Sequence, residues 1–291
     1  MQNDVYRLLS CEDALNPSSL GQPWVKLFLS HVALLPTVPM EYSLKWSGDK
    51  VSGQRPTIGF KSNVQAYWNW CLDRVEHYEF GVNGDALRRR LKACPLDAMT
   101  MLLYGIDVGP NLASSRVKLH LDISGPADAD SAARRSLLSW LVQEEGLPED
   151  LLIKGQGGRL LLGLDVMGSG EIVMRAYVSY DDPILYKSVW QELFADGLAH
   201  KLANSTAVAF AWKGQEAGTH MYVLDLSGLQ EKLIQTGISG LESLNSRTPN
   251  APAYIVGASQ SAWASHHLDV MTSYHMLPRQ WPTAEGLRPQ V

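Results

Sequence analysis

One pattern recurs five times along this chain, a helical segment followed by two strands, at roughly 45–60-residue spacing. In the first unit Trp24, Leu27, Phe28, His31, Val32 and Leu35 recur at helical spacing, and strands at 40–46 and 57–60 follow. The second has helical segments at 64–75 and 85–93, then strands at 98–107 and 116–123. The third has a helix at 131–143, with Leu137, Leu138, Leu141 and Val142 on one face, then strands at 159–166 and 171–180. The fourth has a helix at 186–203 with strands at 206–213 and 220–226, and the fifth a helix at 229–244 with strands at 253–259 and 268–275. Short turns rich in Gly, Ser, Asn and Pro join each strand pair, as at Ser47-Gly48-Asp49 and Gly109-Pro110-Asn111, which predicts hairpins and antiparallel pairing. A parallel doubly wound sheet is disfavoured, and the expected class is α+β with ten antiparallel strands.

Alternation within the strands assigns their faces. Val117, Leu119, Leu121 and Ile123 fall on one side, and Arg116, Lys118, His120 and Asp122 on the other. The strand at 172–180 repeats this, with Ile172, Met174, Ala176 and Val178 opposite Arg175, Tyr177 and Ser179, and the first strand sets Tyr42, Leu44 and Trp46 against Glu41, Ser43 and Lys45. Amphipathic helices bury their stripes on the apolar strand faces, so the helices lie outside. A sheet this wide tends to curl. Closing it removes both edges and gathers the polar faces around a lumen, whereas an open sheet would leave them as a solvated surface. The lumen candidates are Glu41, Ser43, Arg55, Thr57, Lys61, Lys118, His120, Arg175, Tyr177, His220, Tyr222 and Tyr274. Cations and phenols prevail among them, a set suited to a phosphorylated ligand.

Composition narrows the alternatives. The chain has 291 residues, 45% of them hydrophobic and 19% charged, which excludes an intrinsically unfolded polymer. Its net charge of −5 provides no global field for nucleic acid or anionic lipid, so neither partner is expected and any anion site is local. The most apolar stretch, residues 24–35, is interrupted by Lys26, Ser30 and His31 and is too short to span a bilayer. Residues 1–20 carry Asp4, Arg7, Glu12 and Asp13 and lack a signal core, so a cytoplasmic protein is expected. The three cysteines, Cys11, Cys71 and Cys94, are too few and too scattered for a disulfide framework or a metal knuckle. No GxxxxGK[ST], GxSxG or HExxH motif occurs, and Gly155 to Gly158 reads as a turn. His266 and His267 are adjacent and cannot chelate one ion from a strand, and Asp181-Asp182 lacks the further acid of an Asp-rich diphosphate site.

Several segments carry a resemblance: Tyr104-Gly105-Ile106-Asp107 through Asn111 to Ser115 into Val117-Lys118-Leu119-His120, Met40 to Lys45 with Asp49-Lys50 after it, Val189-Trp190-Gln191, and Val256 to Gln260. In order and spacing the chain resembles the cyanobactin peptide prenyltransferases, within the ABBA-fold aromatic prenyltransferases. The resemblance implies a ten-stranded antiparallel barrel with a polar lumen and helices outside, a single domain over residues 1–277 and a tail over 278–291. It implies transfer of an isoprenyl group from its diphosphate, with Mg²⁺, to a nucleophilic group of a ribosomally made, commonly macrocyclic peptide, by a monomeric enzyme. Ionising an allylic diphosphate demands stabilisation of the leaving group and shielding of the carbocation. The leaving-group clamp is assigned to Arg55, Lys118, His120, Arg175, Tyr177, Tyr222 and Tyr274. Glu41 falls where the family has its proposed base.

Two departures from the family pattern matter. Where dimethylallyl members have a bulky aromatic wall, this chain has Val208 or Ala209 in the seventh strand and Ile255 in the ninth. Smaller walls lengthen the pocket, and each further isoprene unit buries several groups worth about 0.8 kcal/mol per CH₂, which predicts geranyl or longer donors over dimethylallyl. Asp122, in phase with Lys118 and His120, either helps hold Mg²⁺ or pairs with a cation. The rival readings are a small-molecule transferase acting on an indole or phenol, a non-catalytic isoprenoid-binding barrel, and an interaction scaffold.

Overall fold

Strand alternation and hairpin turns together decide the architecture. In the computed structural model the described residues are 23–35, 40–47, 50–78, 80–94, 99–109, 111–123, 132–155, 158–180, 205–213, 216–223, 253–259 and 270–276. The strands among them are β1 (Met40–Ser47), β2 (Lys50–Phe60), β3 (Met101–Asp107), β4 (Arg116–Asp122), β5 (Arg159–Met167), β6 (Ile172–Tyr180), β7 (Ser205–Lys213), β8 (Glu216–Val223), β9 (Ala253–Ser259) and β10 (Val270–Met276). Each pairs antiparallel with its sequence neighbours, and β1 pairs with β10, so the curled sheet closes. The helices expected at 186–203 and 229–244, which would complete the fourth and fifth repeats, lie outside the described residues, as do the tail and the pairs Asp181-Asp182 and His266-His267.

Five helices are described: α1 (Pro23–Ala33), α2 (Val64–Val75), α3 (Gly84–Arg90), α4 (Ala132–Gln143) and α5 (Asp150–Lys154). α1 starts on Pro23, whose fixed φ suits a first helical position, and buries Val25, Phe28, Leu29 and Val32 at helical spacing. At α3, the Asn83 side chain accepts hydrogen bonds from the Asp85 and Ala86 amides at 2.7 and 3.3 Å, a helix cap. The helical stripes and the outer strand faces form one core. Leu102, Tyr104 and Ile106 of β3, Val117, Leu119 and Leu121 of β4 and Leu160, Leu162, Leu164 and Val166 of β5 are buried in it with Phe28, Trp68, Leu137, Leu138 and Leu141. Truncating one of these to alanine typically costs about 2–5 kcal/mol.

Two elements depart from the boundaries expected from sequence. β2 begins at Lys50, although Gly53 and Pro56 read as loop residues, because it is paired on both sides, with β1 and β3. The glycine-rich segment 214–218 has the composition of a turn. Gly218 instead sits within β8, paired with Ala211 and Ser259. In both places ladder pairing from two neighbours outweighs weak intrinsic strand preference.

Candidate functional site

Directly paired residues of an antiparallel ladder share a face, so register alone traces the inner surface. It runs from Ser43 to Arg55 and from Thr57 through Gly105, Lys118 and Asp165, while Gly163 pairs with both His120 and Arg175. Three inner positions are glycines that make room for long side chains. A Cβ at Gly53 would lie 3.0 Å from Asp107 Oδ1, and one at Gly105 would lie 2.7 Å from Thr57 Oγ1. One at Gly163 would meet the Tyr177 ring at 3.2 Å and both His120 Cδ2 and Arg175 Cβ at 3.3 Å.

Into this space converge side chains from consecutive strands. Arg55 of β2 lies 3.4 Å from Asp107 of β3, and Arg116 of β4 donates from Nε to the same carboxylate oxygen at 3.0 Å. Arg116 also reaches Asp165 of β5 at 3.1 Å, Lys118 stands 3.5 Å from the other Asp165 oxygen, and Arg175 of β6 donates to Asp165 at 2.6 Å. Lys45 of β1 joins this group, feeling the charges of Asp107, Arg116, Arg55 and Arg175. Five cations therefore face two carboxylates, a surplus of three positive charges when all are ionised.

The electrostatics follow from that imbalance. Burial alone would raise the Asp107 carboxyl, but Arg55, Arg116 and Lys118 outweigh it and hold it well below the usual carboxylate range. Asp165 behaves likewise, against burial, through Lys118, Arg116 and Arg175. The lysines pay the converse penalty: burial pushes the Lys118 ammonium far down, with Arg55 adding to the effect and Asp165 opposing it, and Lys45 is lowered too, chiefly by burial. Burial and the neighbouring Lys118 also depress His120, whose imidazole is therefore neutral near pH 7. Its ring lies 5.7 Å, centroid to centroid, from that of Tyr177, whose phenol burial pushes above its usual value. His120 Nε2, Ser43 Oγ and Thr57 Oγ1 are buried with no hydrogen-bond partner among the described residues. Orphaned buried groups beside a cation surplus suit an oxygen-rich anion.

Of the residues expected from sequence, Arg55, Lys118, His120, Arg175 and Tyr177 come together here. Register sets Glu41 beside Thr57 and Met276, Tyr274 beside Ser43, Tyr222 beside Ala207 and Ile255, and Ala209 beside His220 and Ser179, all at inner-face positions. Val208, one residue from Ala209, pairs with Tyr180 and Met221 at an outer-face position, so of the two alternatives register places Ala209 on the inner face. Asp122 takes the second of its two expected roles, as Arg159 donates to it from Nε at 2.8 Å. Sequence reasoning missed Lys45, Asp107, Arg116 and Asp165. Alternation alone would have put Asp107 in phase with Gly105, and Arg116 with Lys118. Asp165 was hidden in the apolar run Leu160-Leu161-Leu162-Gly163-Leu164.

A protein-ligated Mg²⁺ does not fit the described residues. They contain no group of three or more His, Cys, Asp or Glu able to hold a metal ion, and the inner-face carboxylates Asp107, Asp122 and Asp165 are each engaged by guanidinium groups. Among the described residues the positive charge at this site is carried by side chains.

A 5-dimethylallyltryptophan synthase from Streptomyces coelicolor matches the structure with a TM-score of 0.59 at 14% identity, over 94% of this chain and 95% of that one. The chain shares the fold of that synthase. The likeness is one of fold alone and does not reach a peptide-modifying family. No family model matches the sequence, and a search of curated proteins finds no relative. Among the described residues no helix is long and apolar enough to cross a membrane.

Proposed function

We propose that the protein is a prenyltransferase that binds an isoprenyl diphosphate in the cationic cup and transfers the isoprenyl group to a nucleophilic group of a ribosomally made peptide. The observation that carries this is the clustering of five cations around two buried carboxylates, a surplus of three positive charges when all are ionised, which roughly matches a fully ionised diphosphate monoester, inside a closed barrel with the fold of a dimethylallyltryptophan synthase. Lys45, Arg55, Arg116, Lys118 and Arg175 take the diphosphate oxygens, and Tyr177 donates from its phenol. The allylic C–O bond breaks with its electron pair going to the diphosphate. The acceptor's nucleophile then forms the new bond to the allylic carbon and loses its proton to the Glu41 carboxylate. Water is limited at the cation because the closed ring of strands surrounds the lumen.

The peptide acceptor and the preference for geranyl or longer chains rest on the sequence resemblance and on small residues at inner positions, Ala209 and Ile255. The solved neighbour's name points to tryptophan, which favours a second reading with a free indole acceptor. A panel of cyclic and linear peptides and free tryptophan, incubated with dimethylallyl, geranyl and farnesyl diphosphates and followed by mass spectrometry, separates the two. A prenylated peptide is expected, with geranyl exceeding dimethylallyl. A product on tryptophan alone replaces the peptide reading. Unchanged turnover in Glu41→Gln removes the proton acceptor from the scheme, and diphosphate binding with no product on any acceptor leaves a carrier.

A further inference from the structure

The two buried carboxylates pose a question that an anion-binding role for the cup does not answer. A site for a diphosphate gains nothing from negative charge by simple Coulomb counting, yet Asp165 is fully buried at its centre and Asp107 is nearly so. Their placement is ordered. Around the arc from β2 to β6, successive strands present a cation, Arg55, then Asp107, then the cations Arg116 and Lys118, then Asp165, then Arg175. Each carboxylate thus stands between cations from the strands on either side, and Arg116 reaches both. Without them, four cations crowded on three strands would repel, swing apart toward solvent or, for the lysine, lose a proton.

We infer that Asp107 and Asp165 are positioning residues of the anion cup, holding Arg55, Arg116, Lys118 and Arg175 converged and charged before the diphosphate arrives. This rests on the proposed diphosphate site and adds to it a requirement that charge counting contradicts. Gly53 supports it: a side chain there would press on the Asp107 carboxylate at 3.0 Å, so the strand leaves that space to the acid. Preorganised dipoles and charges cost no rearrangement when the ligand binds, which is where the gain lies.

The probe is inorganic pyrophosphate, titrated calorimetrically into the full-length protein at fixed ionic strength. Asp165→Asn makes the cup more positive. Charge counting predicts tighter binding, and positioning predicts binding at least tenfold weaker in a protein with unchanged near-UV circular dichroism. A second readout separates positioning from general structural damage. Facing Lys118 are Arg55, Asp107, Arg116, His120, Asp165 and Arg175, and Asp165 is the carboxylate nearest to it. Asp165→Asn therefore moves the alkaline loss of pyrophosphate affinity to lower pH, and adding Lys118→Arg, which cannot deprotonate in this range, abolishes that shift. Asp165→Glu keeps the charge and moves it by one methylene, so weakened binding is again expected. Should a substitution at 165 fail to fold, Asp107→Asn and Asp107→Glu give the same comparison from the other carboxylate.

Tighter or equal binding by the folded Asn variants, or binding by the Glu variants equal to wild type, overturns the inference while leaving the diphosphate site standing. Failure of the unaltered protein to bind pyrophosphate at all removes the site itself.

Discussion

A single methyl group added at two inner-face glycines should produce opposite failures, because the atoms it meets differ in kind. At Gly105 a Cβ would stand 2.7 Å from the Pro56 carbonyl oxygen and 3.2 Å from Thr57 Cα, both backbone atoms of β2. Relief there requires prising β2 from β3, whose ladder runs from Thr57–Gly105 to Phe60–Leu102. The cost belongs at or above the upper end of the usual overpacking range, about 3 kcal/mol. At Gly163 the nearest atoms are side-chain atoms, the Tyr177 ring at 3.2 Å with His120 Cδ2 and Arg175 Cβ at 3.3 Å, and the two rings can tilt a few tenths of an ångström. That cost falls near ~1 kcal/mol. At roughly 2 °C per kcal/mol for a chain of this length, Gly105→Ala lowers the melting temperature by about 6 °C and Gly163→Ala by about 2 °C. Binding reverses the order. Gly163→Ala displaces three residues of the cup and weakens pyrophosphate binding roughly tenfold, about 1.4 kcal/mol, while Gly105→Ala, where it folds, changes it less. Scanning calorimetry and pyrophosphate titration of both variants test this. Equal melting temperatures, or tighter pyrophosphate binding by Gly163→Ala, would refute the assignment of these glycines to ladder and cup respectively.

Three further outcomes follow from the charges. Because side chains supply the neutralising charge, pyrophosphate should bind in excess EDTA, and calorimetric loss of all binding on chelation would contradict this. Binding of sulfate, which does not titrate near neutrality, should draw in protons at alkaline pH: in the empty cup Lys118 and Lys45 are pushed below their ordinary values, and an anion raises them. Titrations in two buffers of different ionisation enthalpy give the sign, and proton release would contradict the prediction. Outside the site, His31 is buried between Tyr104, 3.0 Å from its Nδ1, and His77, 3.3 Å from its Nε2, and burial first and His77 second lower it to about 3. Its depressed value stabilises the fold fully above the unfolded value near 6.5, and that contribution drains away as pH falls toward 3. His31→Gln should thus flatten the loss of stability between pH 7 and 4 by about 2 kcal/mol, read by urea unfolding. An unchanged slope would show that His31 is not the group responsible.

How far the site was legible depended on whether a residue announced its face. Lys118 and His120 alternate with Val117, Leu119 and Leu121, so a period of two exposed them in the sequence. Asp165 lies in a run of leucines buried on both faces, the outer by helices and the inner by the cup, and such a strand shows no alternation to read. Arg55 could be named although its strand was placed too short, since Thr57 fixed the phase. Val208 and Ala209 could not be told apart, because a shift of one residue exchanges the faces and only the pairing with His220 fixes it. The convergence of Asp107 on Arg55 and Arg116 depends on which strands are neighbours and in what register, and that information belongs to the ladder, not to any one segment.

Closure is what turns these scattered charges into chemistry. On an open sheet the polar face would be bathed in water, where a pair of unit charges at 4 Å interacts by only about 1 kcal/mol and salt screens the rest. Inside the barrel the cations drive Asp107 and Asp165 far down against burial, and burial with Arg55 drives Lys118 far below its ordinary value. Those shifts mark an unsatisfied demand for negative charge, and two carboxylates meet only part of it. Under the proposed function an entering diphosphate would meet the remainder, and as it departed from the allylic carbon its growing charge would fall where that demand is greatest. The apolar inner positions Leu103 and Leu161 flank His120 and Asp122 along β4 and turn hydrocarbon toward the same lumen. Charge demand and apolar wall on one enclosed face are the two requirements that the proposed isoprenyl transfer would place on the barrel, and strand alternation with barrel closure supplies both.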